Sequence, residues 1–257
     1  MTPRLRKGLT ALGVLLFWVL LWALLARLVD RDLLLPSPLQ VLQRGGVLVC
    51  SGAFWLTTLW SIARVLAGIA AAIVLGVLLA ALTERSALAR TLLSPLMTLV
   101  KSTPVASFII LALIWLGRSV LPVFISALMV LPVVWANVSA GIAGQDPLLL
   151  ELARVYRLPR LRVLRRITLP SVLPHFRAAL SSALGLGWKA GIAAEVLTVP
   201  QRSIGRMIYE SKLYLETTDL FVWTAAVVVL SLIIERLLLR LVARIGRKGG
   251  ETHAAAA

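Results

Sequence analysis

The sequence predicts an all-α polytopic membrane protein with about six transmembrane helices, and three observations carry that prediction. Sixty per cent of the 257 residues are apolar, where a soluble domain usually holds about 45–50%. Mean hydropathy is +0.93. The apolar residues also gather into long stretches with few charges, separated by short polar segments rich in arginine. A spanning helix takes roughly 20 apolar residues, so six occupy about 120 and leave little for a soluble domain. A water-soluble enzyme, a disordered chain and a secreted disulfide scaffold are thereby excluded, and the lone Cys50 cannot form an internal bridge.

The first predicted span is Gly8–Ala26, nineteen residues without a charge after Arg4, Arg6 and Lys7. It is longer than the apolar core of a signal peptide, so it reads as a retained helix. Residues 27–53 hold Asp30, Asp32, Pro36, Pro38 and Gly45-Gly46, the composition of a loop with a short surface helix. Together they make an N-terminal region, 1–53, ahead of a core at 54–248 and a disordered tail at 249–257. The second span is Val65–Thr83, with Arg64 at its outer edge positioned to snorkel to the headgroups. Thr91–Gly117 is 27 residues with one charge, Lys101. A straight helix of that length would be about 40 Å against a hydrocarbon core of about 30 Å, so it is one kinked span or a span preceded by a surface segment. Pro104 removes a donor in its middle. Ser119–Gln145 is a fourth span that Pro132 should kink, Val172–Val199 a fifth, and Leu220–Arg240 a sixth.

The net charge of +16 does not call for nucleic acid, because no basic patch with interleaved aromatics stands apart from the spans. Basic residues of membrane proteins collect in cytoplasmic loops. With the N-terminus inside, sixteen basic residues fall inside and seven outside, so both termini are expected in the cytoplasm. Tryptophans such as Trp55, Trp60, Trp115 and Trp223 suit the interfacial belts.

The largest cytoplasmic feature is then the segment 146–170, with Glu151 and six arginines. Asp146-Pro147 is a strong helix start. Leu148, Leu149, Leu152 and Val155 follow at helical spacing, with Glu151 and Arg154 on one face. Leu158-Pro159 ends this helix. A second short helix, with Leu161 and Leu164 opposite its arginines, is expected to close at Leu169-Pro170. The product is a helix–turn–helix on the cytoplasmic surface between spans four and five.

This loop resembles that of the permease subunits of binding-protein-dependent ATP-binding-cassette importers. Their pattern is Glu-Ala-Ala, three residues, Gly, nine residues, Ile, one residue, Leu-Pro. Glu151, Ala153, Ile167, Leu169 and Pro170 match at the right spacing; Leu152 replaces the middle alanine and Arg157 the glycine. That glycine permits a left-handed residue, so the turn is expected to be built another way, through Leu158-Pro159. The resemblance runs from Trp60 to Arg244. Arg64-Val65-Leu66-Ala67-Gly68, Thr103-Pro104-Val105-Ala106 with Leu113-Ile114-Trp115-Leu116-Gly117, and Trp188 with Ala194-Glu195 and Ile204-Gly205 are similar to signatures of the nitrate/sulfonate/taurine branch.

The resemblance implies a type I importer permease, one of two copies around a pathway. It implies a separate ATPase pair that carries ATP and Mg, and an extracytoplasmic solute-binding protein. It also implies that the loop, through Glu151, Ala153, Arg154, Arg157, Ile167, Leu169 and Pro170, docks on the ATPase in a bacterial inner membrane. The sequence itself holds no Gly-x-x-x-x-Gly-Lys-Ser/Thr phosphate loop; Gly185-Leu186-Gly187-Trp188-Lys189 is only a fragment of one, inside a span. No cofactor is expected in this chain.

Charges inside spans are costly and usually functional. Lys189 and Glu195 are six residues apart, about 240° net around a helix, so they do not share a face. Lys189 is a candidate to line the pathway and attract an anion, to pair with a carboxylate elsewhere, or to snorkel. Glu195, nearer the outer end, is a candidate for the pathway and, more readily, for a structural role. Lys101 and Pro104 are further pathway candidates. His175 has no second histidine at metal spacing. The expected solute is a small anion such as nitrate, a sulfonate or taurine. A permease for betaine or amino acids would share the loop but not the other signatures; one for a pyrimidine vitamin precursor belongs to the same branch. A lipid-modifying intramembrane enzyme using Lys189, Glu195 or His175 lacks an acid–base constellation. A membrane scaffold would leave the loop pattern unexplained.

Overall fold

The computed structural model describes the backbone of residues 3–254, which contain helices and no strand. Helix α1 (Pro3–Val29) is followed by the short α2 (Pro38–Val49). Ser37 and Gln40 form a reciprocal capping box at the start of α2, and Pro38 occupies its first turn, as the sequence pattern requires. Among its described side chains, α1 is largely bare, with Leu16, Phe17, Trp18 and Leu20 exposed and Ala26 buried. It is held near its end by Trp22, which donates to the Pro36 carbonyl at 3.1 Å and stacks on Phe221 at 5.7 Å.

Helix α3 (Gly52–Arg85) is much longer than the predicted second span. It takes in Trp55, Trp60 and Arg64. Ser51 caps it by accepting from the Phe54 amide at 3.3 Å. Helices α4 (Ala87–Ser102) and α5 (Val105–Ala112) meet at 104° across Thr103-Pro104. The proline therefore breaks the stretch expected to hold the third span. Helix α6 (Leu121–Ala143) continues through Pro132 as one helix.

Helix α7 (Pro147–Val155) is followed by α8 (Arg160–Val163), a π-helical turn at Leu164–Thr168, and α9 (Leu169–Thr198). Helices α10 (Ile204–Leu213) and α11 (Thr217–Ala254) complete the chain. Most of the tail expected to be disordered thus continues the last helix, and residues 255–257 lie outside the described residues.

The core is made by α3, α6 and α9. Val65, Ile69, Val130, Val134, Leu184 and Trp188 are buried between them. Close approach depends on glycine: a Cβ on Gly68 would lie 2.3 Å from the Val123 carbonyl oxygen, and one on Gly191 would lie 2.4 Å from Ser126 Oγ. Small residues at such crossings are how membrane helices gain contact without a hydrophobic driving force. A second cluster joins α5 to α6 and α9 through Ile109, Ile125, Ala190 and Ala194. Trp223 belongs to the core and not to an interfacial belt: it is 4% exposed and stacks on Phe54 at 4.8 Å.

By length and composition, α1, α3, α6 and α11 each hold a stretch able to cross a membrane among the described residues, and the bent pair α4–α5 makes a fifth if it counts as one span. Six were expected. The difference is α9, whose 30 residues are long enough at about 45 Å but include Arg177, Lys189 and Glu195.

Candidate functional site

Segment 146–170 is built from its first residue as expected. Asp146 Oδ1 accepts from the Leu148 amide at 2.9 Å, and Pro147 sits in the first turn. Only Ala153 of α7 is buried. Leu148, Leu149, Leu152, Val155 and Tyr156 are exposed by 46–73%, and among the described residues α7 packs extensively on no other helix. Glu151 and Arg154 are exposed beside this bare apolar surface.

The turn after α7 differs from the expectation. Arg157 itself adopts the left-handed conformation, with φ of 47°. The Leu158 amide donates to the Ala153 carbonyl at 2.9 Å and the Arg157 amide to the Arg154 carbonyl at 3.0 Å. This is the bond pattern of a Schellman cap. The turn is therefore made where a glycine would make it, and Pro159 only prevents the helix from resuming at once. The two bonds hold an arginine where the left-handed conformation costs about 1–2 kcal/mol for a residue with a Cβ.

The second helix does not close at Leu169-Pro170. Val163, Leu164, Thr168 and Leu169 all have right-handed helical angles, and the chain passes through the π turn straight into α9. The Leu169 amide donates to the carbonyl of Leu164, five residues back. Pro170 has no amide to donate, and the extra residue of a π turn absorbs such a mismatch in the helical ladder. Ile167, Leu169 and Pro170 consequently belong to the root of a long helix, with α8 between them and α7.

Among the pathway candidates, Lys189 and Glu195 lie on different faces of α9, as their spacing requires. Lys189 is exposed, between the buried Trp188 and Ala190, and has no ion pair among the described residues. Glu195 is fully buried. It accepts from Ser61 Oγ at 2.7 Å and from the Gly205 amide at 3.2 Å, and Arg64 Nη1 lies 3.4 Å from its other oxygen. Ser61 Oγ in turn accepts from the Ile204 amide at 2.8 Å. Glu195 thus ties α9 to α3 and to the start of α10. Lys101 is exposed in the last turn of α4, and Pro104 is exposed at the break before α5.

Arg64 does not snorkel outward. It also donates to the carbonyls of Gln201 at 2.7 Å and Arg202 at 3.1 Å, closing the turn in which Val199 and Arg202 both have φ of 50°. Sequence reasoning missed this partnership and the partners Ser61 and Gly205. The available signal was an uncompensated carboxylate within an apolar stretch, which needs a cation and donors nearby. It also missed the ion pair of Arg44 with Asp219, two bonds of 2.6 and 2.7 Å that join α2 to the first turn of α11. No group of three metal-ligating side chains occurs among the described residues.

The chain is 25% identical over 240 residues to the taurine transport system permease protein TauC of Escherichia coli (strain K12), covering 91% of this chain and 87% of that protein. It is 25% identical over 217 residues to the putative aliphatic sulfonates transport permease protein SsuC of Bacillus subtilis (strain 168), covering 84% and 77%. It is 29% identical over 185 residues to the bicarbonate transport system permease protein CmpB of Synechococcus elongatus, covering 70% and 63%. Residues 72–247, which include the bare α7, its left-handed cap and the whole of α9, match the family described as the binding-protein-dependent transport system inner membrane component. The chain belongs to that family, as an inner-membrane permease subunit of an ATP-binding-cassette importer and not as an enzyme.

Proposed function

We propose that two copies of this chain form the pathway by which a small anionic solute enters the cell, and that α7 is the element on which the ATPase subunit acts. The observation that carries the reading is α7 itself. It is a capped, amphipathic helix whose Leu148, Leu149, Leu152 and Val155 are bare, as is Tyr156 at its end, while Glu151 and Arg154 flank them. Bare apolar surface rimmed by charge is the form of a protein–protein contact. Glu151, Arg154 and Arg157 border the docking surface. Ile167, Leu169 and Pro170 root the segment in α9, so that displacement of the loop is passed to a core helix. ATP and Mg are bound by the partner, and a solute-binding protein delivers the solute on the opposite side.

In this reading α9 also spans, as the fifth of six, and α4–α5 is one broken span, with both termini in the cytoplasm. The burden of charge on α9 is reduced because Glu195 is paired internally. Lys189 remains unpaired and exposed in the single copy, on the same helix that packs on α3 and α6. A cation there favours an anionic solute. The printed names of the relatives support a solute with an anionic group: aliphatic sulfonates and bicarbonate are anions, and taurine carries a sulfonate beside its ammonium. Lys101 and Pro104 lie on a different element and are weaker candidates for the pathway.

The test is affinity purification of the tagged chain from its native membrane, wild type beside Glu151→Arg, with mass spectrometry of the proteins retained. An ATP-binding-cassette subunit is expected with wild type and strongly depleted with the variant. Recovery of the wild-type chain without any ATPase under mild detergent would overturn the docking role.

A further inference from the structure

A cavity of about 480 Å³ opens between the ends of α3 and α6 and the segment that leads from α7 into α9. Its volume is within the range of small-molecule sites. Its body is apolar: Val77, Val138, Leu158, Leu164 and Leu169 all line it. Leu164 and Leu169 are exposed by 50% and 57%, so the apolar wall continues outward to the protein surface. Arg85 and Arg160 line the same cavity with Gln145 and Thr168. Glu84, the one carboxylate of the lining, is engaged by Arg90. Neither Arg85 nor Arg160 has an ion-pair partner among the described residues.

We propose that this cavity binds one anionic phospholipid, with an acyl chain along the apolar wall and the phosphate between Arg85 and Arg160. The proposal rests on the topology above, in which this end of α3 and α6 reaches the cytoplasmic leaflet. Anionic lipids are concentrated there, and basic pockets between membrane helices on that side take their headgroups. Charge selects the occupant: two free guanidiniums beside an apolar wall suit a ligand with an anionic head and a long hydrocarbon body. A zwitterionic lipid brings a cationic ammonium beside its phosphate and so no net negative charge, and an apolar peptide brings no charge at all. Gln145 and Thr168 add hydrogen-bonding groups for the phosphate or ester oxygens. One wall of the cavity is the α8–π segment, so the lipid bridges the moving loop to the fixed ends of α3 and α6.

The experiment is native mass spectrometry of the assembled transporter released from nanodiscs of equal phosphatidylglycerol and phosphatidylcholine. Wild type is expected to retain one phosphatidylglycerol per copy of this chain. Arg85→Gln combined with Arg160→Gln should weaken retention by roughly twenty-five-fold, about fivefold for each guanidinium. Should that double variant not assemble, Ala81→Phe reads the same site, because Ala81 lines the cavity and the larger ring fills it without a change of charge. Equal retention by wild type and the variants would overturn the proposal. Equal retention of phosphatidylcholine would do so too, as would displacement of the lipid by millimolar inorganic phosphate. Retention is read on this chain whether or not an ATPase accompanies it, so the result is separate from the docking test.

Discussion

The Leu158 amide reaches back to the Ala153 carbonyl at 2.9 Å, and this bond obliges Arg157 between them to turn left-handed. The position asks for glycine and holds arginine. Arg157→Gly should therefore preserve the loop and slow hydrogen exchange at the Leu158 amide, with a gain of up to about 1 kcal/mol once glycine's entropy is set against the relieved strain. Arg157→Val, β-branched, should open the cap and expose that amide. Exchange mass spectrometry of peptides across 150–160 distinguishes the two; faster exchange in the glycine variant would show that the cap does not depend on backbone conformation.

Glu195 and Gly205 form a second test. Glu195→Ala leaves Arg64, Ser61 and the Gly205 amide without their buried acceptor, a loss of about 3–5 kcal/mol. Gly205→Ala would set a Cβ 2.3 Å from Glu195 Cβ and should cost about 1–3 kcal/mol by overpacking. Both are checked by thermal unfolding of the detergent-solubilised protein. Melting temperatures matching wild type would mean that α10 is not anchored through this carboxylate.

Two glycines of α9 differ only in what faces them. A Cβ on Gly185 meets nothing within 4 Å, whereas one on Gly187 would lie 2.7 Å from Val130 Cγ2 and 2.8 Å from Ile69 Cγ1. Gly185→Ala should be neutral or stabilising by up to about 1 kcal/mol, as alanine favours a helix. Gly187→Ala should destabilise by about 1–3 kcal/mol. Comparison of the two melting temperatures tests whether α9 packs on α3 and α6 through this face.

Lys189→Ala is expected to lower uptake of an anionic solute by about tenfold, the effect of one charge–charge contact of about 1.4 kcal/mol. Assembly with the ATPase should be retained, and Lys189→Arg should restore most of the uptake. Transport of a radiolabelled alkanesulfonate in proteoliposomes measures this; uptake by the alanine variant equal to wild type would remove Lys189 from the pathway.

What the residues alone determined is what local chemistry decides. Long apolar stretches dictated membrane helices, Asp146-Pro147 dictated the start of α7, and Thr103-Pro104 dictated a break. The spacing of Glu151 to Leu169-Pro170 pointed to the family before any fold was known. The tertiary structure decided what depends on partners distant in sequence. Arg64 and Glu195 are 131 residues apart, and no periodicity announces that one neutralises the other. Whether Trp223 faces lipid or Phe54 is settled by the packing of α11 on α2, α9 and α10, which brings its ring onto that of Phe54. The passage of Pro170 into a continuous helix was set by the π turn before it, a cooperative backbone adjustment over several residues. Patterns of hydropathy and capping act within a few residues, whereas burial of a charge or a ring is fixed only when separate helices meet.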